Sequence, residues 1–241
     1  MYKKQGTHRV KQKEEEKRNN KDAKSYFKKA MELYKKGATK KDYYRQCKEM
    51  LTEAIALRPE FALYFFHRGN CSKNLGDFNS CLLDYTRAIR MDNTNAKFYE
   101  NRGNCFRVMG KLQESLSDLQ KSIELSGGKN GRFYYNLGLT YSDLGQKDKG
   151  IEMYTRAIDL LKVERSKFKP YFNRGNAYRE IGKIPESIED LQRACDIENR
   201  NPSSQNNLGL SLFEERRYRD AVQKFATAIE LDPEVAIYYN N

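Results

Sequence analysis

The sequence predicts an all-α solenoid of antiparallel helix pairs, and the main evidence is a repeat of about 34 residues. Glycines recur at intervals of 34, 35, 37 and 34 residues, at Gly69, Gly103, Gly138, Gly175 and Gly209. Four of them are followed seven residues later by a second glycine, at Gly76, Gly110, Gly145 and Gly182. Small residues follow at 12 and 19 residues after each first glycine, at Cys81, Ser115, Gly150, Ser187 and Ala221 and at Ala88, Ser122, Ala157, Ala194 and Ala228. Marks that stay in register over five units predict five copies of one helical hairpin.

Helical spacing explains where these marks fall. If the first glycine of each unit is numbered position 8, positions 4, 7, 8 and 11 form one face of a first helix, and positions 20, 24, 27 and 28 form one face of a second. Small residues at 8, 20 and 27 allow two helices to approach closely. A larger side chain at position 24 fills the wider gap, and it is Tyr85, Leu119, Tyr154, Leu191 or Phe225. Glycine at position 15 is expected to end the first helix in a left-handed conformation.

The repeat period also predicts the domain organisation. An earlier, degenerate unit precedes the five full ones, because Ala30, Cys47 and Ala54 match positions 8, 20 and 27 if about five extra residues separate its helices. The predicted segments are a charged lead-in at 1–24, which is either disordered or a solvated helix, the degenerate unit at 25–61, full units at 62–95, 96–130, 131–167, 168–201 and 202–235, and the start of a further unit at 236–241.

The net charge of +12 is concentrated near the N-terminus. Residues 1–60 hold 18 Lys and Arg and 9 Asp and Glu, a net charge of +9 that leaves +3 for the rest of the chain. Residues 3–24 are therefore interpreted as an electrostatic arm for an acidic protein or a microtubule surface, or as a solubilising extension. Nucleic-acid binding is not expected, since aromatic residues do not interleave with the basic ones.

The sequence lacks the signatures of several other classes of protein. The two histidines, His8 and His67, and five cysteines without a Cys-x-x-Cys pair predict no metal site, no cofactor and reduced, buried thiols. No phosphate-binding loop or nucleophile motif suggests an enzyme. The N-terminus has no apolar leader, and the longest apolar stretch, residues 61–66, is too short to cross a membrane, which favours a cytoplasmic protein.

These marks resemble the tetratricopeptide-repeat (TPR) family, whose unit is a helix-turn-helix of about 34 residues. The resemblance covers residues 25–241 and implies a right-handed superhelix whose first helices line a concave groove through positions 2, 5, 6, 9, 12 and 13. It therefore implies a scaffold that binds other proteins.

Asparagine dominates two of the groove positions. Position 6 carries Asn101, Asn136, Asn173 and Asn207, and position 9 carries Asn70, Asn104 and Asn176. A primary amide offers a donor and an acceptor and can pair with the backbone of an extended peptide. The row resembles the asparagine ladder in the repeat superhelix of O-linked N-acetylglucosamine transferase. The alternative is that these amides bond within the array and fix the stacking of its helices.

Aromatic and basic residues complete the predicted groove. Phe66, Tyr135 and Phe172 at position 5 are interpreted as aromatic walls, and the predicted cations are Lys97, Arg132 and Lys169 at position 2 and Lys73, Arg107 and Arg179 at position 12. Acidic residues at Glu100, Glu180 and Glu214 dilute this charge. The groove is thus predicted to bind an extended, mildly acidic peptide, unless the cations are simply solvated.

Two further hypotheses follow from the resemblance. Chaperone C-termini are held in related domains by a carboxylate clamp that needs Lys at position 5 and Arg at position 6, but this chain carries Phe66 and Asn136 there, so that clamp is not expected. The alternatives to a groove binder are a structural part of a cytoskeletal or ciliary assembly, with contacts on the convex faces and the basic arm, and a regulatory domain of a longer enzyme.

Overall fold

A computed structural model describes residues 2–37 and 40–234, with the backbone alone for residues 2–11. The regular structure in these residues is helical. The helices are α1 (Tyr2–Lys36), α2 (Lys41–Leu57), α3 (Ala62–Asn74), α4 (Phe78–Met91), α5 (Ala96–Val108), α6 (Leu112–Leu125), α7 (Gly131–Asp143), α8 (Lys147–Leu160), a 3₁₀ turn (Glu164–Lys167), α9 (Phe168–Glu180), α10 (Ile184–Ile197), α11 (Pro202–Glu214) and α12 (Tyr218–Leu231). The predicted unit at 236–241 lies outside the described residues.

The chain divides into two compact units, residues 1–118 and 119–241. In the first unit, α1 pairs with α2 and α3 with α4; in the second, the pairs are α7 with α8, α9 with α10, and α11 with α12. The second helix of a pair also contacts the first helix of the next, as α2 does with α3 and α10 with α11. The predicted all-α architecture of antiparallel helix pairs is confirmed.

Glycine at position 8 sets the distance between the two helices of a pair. A Cβ atom built on Gly69 would lie 2.7 Å from Cε1 of Tyr85, and one on Gly209 would lie 2.6 Å from Cε1 of Phe225. These distances are shorter than van der Waals contact, so alanine at either position would force the helices apart or displace the ring. The structure shows the close approach that the sequence predicted at position 8, and it places the side chain of position 24 directly against that glycine.

In the five full units, position 15 ends the first helix in a left-handed conformation, as the glycines there predicted. Gly76 has a φ of 83°, and Gly145 has a φ of 74°. In the last pair the same place is taken by Arg216, with a φ of 62°. Its neighbour Arg217 still donates its N–H to the Leu212 carbonyl at 2.9 Å, so the helix end keeps its hydrogen bonds without a glycine.

The lead-in continues directly into the first helix. Residues 2–24, for which the sequence left a disordered tail and a solvated helix open, are helical in α1. Side chains 12–18 are exposed, and tertiary contact begins where Asn20 Oδ1 accepts a 2.7 Å hydrogen bond from Arg58 and Ala23 is fully buried. The contacts that anchor this helix to the array therefore include those of its C-terminal half.

Buried small polar residues join successive helix pairs. The Cys71 thiol at position 10 lies 2.8 Å from Cys47 Sγ at position 20 of the preceding unit, and Ser211 and Ser187 hold the same places with their hydroxyls 2.8 Å apart. The pKa of the Cys71 thiol is raised by its hydrogen bond to Cys47 and by burial. All five cysteines are free and buried, which confirms their predicted role as packing residues.

Three units contain an arginine at position 7 that ties three helices together. In the second compact unit, the Arg174 guanidinium donates to both carboxylate oxygens of Asp190, at 2.7 and 2.8 Å, and to Thr155 Oγ1 at 2.8 Å. It also lies between the rings of Tyr171 and Tyr178, at 5.7 and 5.8 Å from their centroids. One side chain thus links α9 to its partner α10 and to the preceding helix α8.

The same arrangement recurs in the first compact unit. Arg68 pairs with Asp84 and donates to Thr52, and Arg102 pairs with Asp118 and donates to Thr86. Sequence reasoning missed these links. The signal that would have found them is an Arg-Gly-Asn triplet at positions 7–9 followed by Asp at position 23, which occurs in these three units and not in the other two.

Replacing Arg216 with glycine should stabilise the protein by about 0.5–1 kcal/mol, because a side chain in the left-handed region is strained. Gly76→Ala is the matched control at the same position of another unit. Its Cβ would meet nothing within 4 Å, so the expected loss of about 1 kcal/mol is conformational alone. Urea denaturation followed by circular dichroism measures both, and a destabilised Arg216→Gly variant would contradict the account.

Removing one partner of the Arg174–Asp190 pair should strongly destabilise the protein, whereas replacing both partners with apolar residues should have a small effect on its stability. The side chains are 15% and 4% exposed, so Asp190→Ala leaves a desolvated cation and should lower the free energy of unfolding by about 3–5 kcal/mol. The double variant Arg174→Leu/Asp190→Met copies Leu137 and Met153 at the same positions of another unit and should recover all but about 1 kcal/mol. Equal losses in single and double variants, measured by denaturation, would contradict this.

Candidate functional site

The predicted groove asparagines have different environments in the structure. Asn70 is buried, and its Oδ1 accepts a 2.6 Å hydrogen bond from the Tyr85 hydroxyl. Asn136 is buried as well. Each of the two residues is only 8% exposed, so the structure places both in the packing of their helix pairs.

In the first compact unit, two more asparagines surround a buried carboxylate. Glu100 is only 3% exposed, and it accepts hydrogen bonds from Nδ2 of Asn101 and of Asn104, each at 2.9 Å. Asn101 also donates to the Lys97 carbonyl at 2.9 Å and accepts from Lys73 Nζ at 3.0 Å. These contacts satisfy the Asn101 amide within the protein, and they supply Glu100 with the donors that a buried carboxylate requires.

In the second compact unit, the amide N–H groups of Asn173 form hydrogen bonds within the protein, whereas its amide oxygen does not. Its Nδ2 donates to the Lys169 carbonyl at 2.9 Å and to the Tyr135 hydroxyl at 3.2 Å. Both N–H groups of the amide are therefore taken, one by its own helix α9 and one by α7. Among the residues that the structure describes, nothing donates to its Oδ1.

Asn176, one turn further along α9, has the opposite arrangement. Its Oδ1 accepts a 2.9 Å hydrogen bond from Nδ2 of Asn207 on α11. Its own Nδ2 has no acceptor within residues 40–234. We call Asn173, Asn176 and Asn207 the amide row. Its hydrogen bonds link α7 to α9 and α9 to α11, and they leave an unused acceptor and an unused donor one helical turn apart.

The three predicted aromatic walls are not equivalent. Phe66 is 8% exposed and packs in the core with its ring 4.9 Å from that of Phe98 on α5. The expectation that it lines the groove therefore needs correction, because the next helix pair covers it. Tyr135 is half-buried and bonded to Asn173, and Phe172 is half-buried with its ring stacked 5.9 Å from that of Phe168.

The three predicted cations at position 2, Lys97, Arg132 and Lys169, are exposed. Two of the cations at position 12 contact a neighbouring helix: Lys73 donates to Asn101 at 3.0 Å, and Arg179 pairs with Glu214 at 3.0 Å. Lys169 lies on α9 with Asn173, and its charge is available near the amide row.

His67 occupies position 6 of its unit, where the other four have asparagine. Its ring lies 5.3 Å from that of Phe27 on α1 and 5.2 Å from that of Phe66. Burial between these apolar rings lowers the pKa of the imidazole. His67 therefore acts as a neutral packing residue at neutral pH.

Two other kinds of site are not found in the described part of the chain. It contains no group of three or more His, Cys, Asp or Glu side chains arranged to hold a metal ion. None of its helices combines the length and the apolar character that crossing a membrane requires.

Comparison with known families identifies the repeat. Residues 131–160 and 206–241 match models described as tetratricopeptide repeat, and residues 175–215 match one described as TPR repeat. No curated protein is significantly similar in sequence.

Solved structures share the fold at low sequence identity. PilW, a widely conserved type IV pilus biogenesis factor, has a TM-score of 0.80 at 13% identity over 90% of this chain and 97% of its own. Pseudomonas aeruginosa PilF has a TM-score of 0.77 at 14% identity, over 92% and 97%. YrrB, a TPR protein with an unusual peptide-binding site, has a TM-score of 0.64 at 20% identity, over 80% and 97%.

The buried His67 should make stability depend on pH. Its pKa is lower in the folded state, so below about pH 6.5 the unfolded chain binds the proton more tightly than the folded protein does. The free energy of unfolding should therefore decrease as the pH falls below that value. His67→Asn, which copies the residue of the other units, should not lose it. Urea midpoints of both proteins between about pH 7.5 and about pH 5 test this. Parallel pH profiles of the two proteins would contradict this expectation. Any contribution of His8 is the same in both proteins and does not affect the comparison.

Proposed function

The chain is a tetratricopeptide-repeat protein, and we propose that it is a non-enzymatic protein-interaction scaffold that binds an extended segment of a partner along α7, α9 and α11. The observation that carries the proposal is the pair of unused amide groups on α9, the Oδ1 of Asn173 and the Nδ2 of Asn176. An acceptor and a donor one turn apart match the N–H and C=O of a peptide backbone.

The hydrogen bonds of the amide row support this role. Asn173 is held by Tyr135 and by its own helix, and Asn176 is held by Asn207, so neither amide has to be ordered when a ligand binds. Side-chain ordering costs about 0.5–1.5 kcal/mol per residue on association, and preorganisation avoids that cost. The sequence left open whether the asparagines bind a peptide or fix the stacking of the helices. In the amide row, one set of amide groups can serve both roles.

The charge near the row favours an acidic partner. Lys169 is exposed on α9 and lies one turn before Asn173. In the first compact unit, by contrast, Glu100 takes the donors of Asn101 and Asn104. We therefore place the proposed peptide site on α7, α9 and α11, and leave Phe66, Asn70 and Asn136 out of it.

The alternative functions remain predictions from the sequence. The side chains described in the lead-in helix alternate in sign, with Glu14, Glu15 and Glu16 between Lys13 and Lys17, so they do not add a specific argument for binding an acidic surface or a microtubule. Two further alternatives are a place in a cytoskeletal or ciliary assembly and a role as the regulatory domain of a longer enzyme. No contact among the described residues favours either of them.

Removing the two unused groups should weaken peptide binding without unfolding the protein. The probe is an acidic dodecapeptide selected against the full chain from a random phage-displayed library, with its Kd measured by fluorescence anisotropy. Asn173→Ala/Asn176→Leu removes two hydrogen bonds of about 0.5–1.5 kcal/mol each, so the Kd should rise about tenfold or more. Leucine is tolerated at position 9, where Leu139 and Leu210 occur.

The matched control is Glu189→Ala/Arg193→Ala, an exposed pair of opposite charge on α10 whose removal leaves the net charge unchanged. It should bind the peptide as the unaltered protein does. An unchanged Kd for the amide-row variant, with helicity intact by circular dichroism, would refute the proposed site.

A further inference from the structure

Helix α4 has an outward face that differs from the same face of the other repeats. Positions 22, 26 and 29 follow i, i+4, i+7 spacing and lie together on one side of the second helix. Position 22 carries Leu83, Ser117, Glu152, Glu189 and Gln223, position 26 carries Arg87, Lys121, Arg156, Arg193 and Thr227, and position 29 carries Arg90, Glu124, Asp159, Asp196 and Glu230. Position 29 is acidic in four units and basic in one, and position 22 is polar in four and apolar in one. Both exceptions fall on α4.

The three side chains on this face of α4, Leu83, Arg87 and Arg90, form few contacts with the rest of the protein. Leu83 is 74% exposed. Arg87 and Arg90 are exposed, and no carboxylate of the described residues forms a salt bridge with either. Among the described residues, the Arg87 guanidinium faces only the Phe65 ring, at 6.0 Å from its centroid. An apolar side chain and two unpaired guanidinium groups therefore share one exposed face.

The face borders a cleft between α4 and α5. The cleft has a volume of about 580 Å³, and Leu82, Thr86 and Phe106 line it together with the three side chains above. No acidic residue is among its lining residues. Its floor is held in place, because Arg102 donates to Thr86 at 3.2 Å and lies 5.7 Å from the centroid of the Phe106 ring.

The equivalent cleft of the second compact unit shows what the ordinary arrangement is. There, positions 22, 26 and 29 of α10 are Glu189, Arg193 and Asp196, and Asp196 accepts a 2.8 Å hydrogen bond from Gln192. Positive and negative side chains balance each other at that cleft. The cleft beside α4 lacks this compensation.

We propose that the cleft beside α4 binds an acidic amphipathic helix of a partner protein. An apolar side chain of that helix would rest on Leu83 and Phe106, and two carboxylates would pair with Arg87 and Arg90. Arginine pairs with carboxylates through two parallel N–H groups, and it is enriched among the residues that contribute most to protein interfaces. This surface is separate from the amide row and does not depend on the function proposed for it.

The spacing on α4 predicts the pattern of the bound helix. Arg90, Arg87 and Leu83 follow one another at three and four residues along α4 when it is read backwards. A partner helix that runs antiparallel to α4 should therefore carry two glutamates three residues apart and a leucine four residues after the second. The antiparallel direction aligns the two helix dipoles favourably and places the glutamates toward the N-terminal end of the partner helix, where negative charge is stabilised.

A synthetic alanine-based helical peptide with this Glu/Glu/Leu pattern is the probe, and its binding to the full chain is measured by fluorescence anisotropy. We expect saturable binding that weakens about tenfold between about 50 mM and about 300 mM NaCl, because exposed ion pairs are screened. Peptides with lysine for both glutamates, or serine for the leucine, should not bind. Absence of binding by the Glu/Glu/Leu peptide, or equal binding by the lysine peptide, would overturn the proposal.

Variants then locate the site. Leu83→Glu/Arg90→Asp copies Glu189 and Asp196 from α10, so the fold tolerates it, and it should weaken binding about tenfold or more. Asn173→Ala/Asn176→Leu should leave binding unchanged. Loss of binding in the amide-row variant, or unchanged binding in the α4 variant, would overturn the assignment to the α4 cleft.

The reverse substitution provides a gain of function. Glu189→Leu/Asp196→Arg creates the same three side chains on α10, beside Arg193, and should raise the stoichiometry from one peptide to two per chain. A stoichiometry that stays at one would contradict the claim that these three side chains define the site.

Discussion

The rest of the structure depends on one close approach, that of the two helices of each pair at position 8. Glycine there brings the first helix against the side chain at position 24 of the second, and a single added Cβ would fall within 3 Å of Tyr85, Tyr154, Leu191 or Phe225. This distance determines how far apart the other facing residues lie. It also explains why positions 20 and 27 are small and fully or almost fully buried in every full unit.

Two kinds of repeat are compatible with this packing. Units with Arg-Gly-Asn at positions 7–9 place a guanidinium between three helices and neutralise it with Asp at position 23. Units with leucine at position 7, Leu137 and Leu208, fill the same place with apolar volume. A buried ion pair that can be exchanged for packed apolar side chains adds little net stability, but each partner becomes essential once the other is present. The mixture of repeats therefore constrains which substitutions can occur singly.

The same logic separates structural from available polar groups at the candidate sites. In the first compact unit, the buried Glu100 takes the donors of two asparagines, so their amides serve the fold. In the second, Tyr135 and Asn207 each satisfy only part of a neighbouring amide, and the remainder is left for a ligand. On α4, the departure of Leu83 and Arg90 from the pattern of the other units leaves charges without partners. In the second and third of these places, the functional potential is the polar or charged group that the repeat itself does not satisfy.

The sequence by itself determined the helical period, the pairing of helices, the glycine ends and the buried cysteines, because these depend on spacing that recurs five times in one chain. Only the tertiary structure decided which groove residues are accessible. Phe66 and Tyr135 both hold position 5, but the ring of Phe98 covers the first, and the hydroxyl of the second reaches Asn173. Asn101 and Asn173 both hold position 6, but their amides form hydrogen bonds with different neighbours. Apart from the contact of Asn101 with Glu100 on the same helix, these differences come from contacts between residues 28 to 38 positions apart in the sequence. A pattern within one helix carries no information about such contacts.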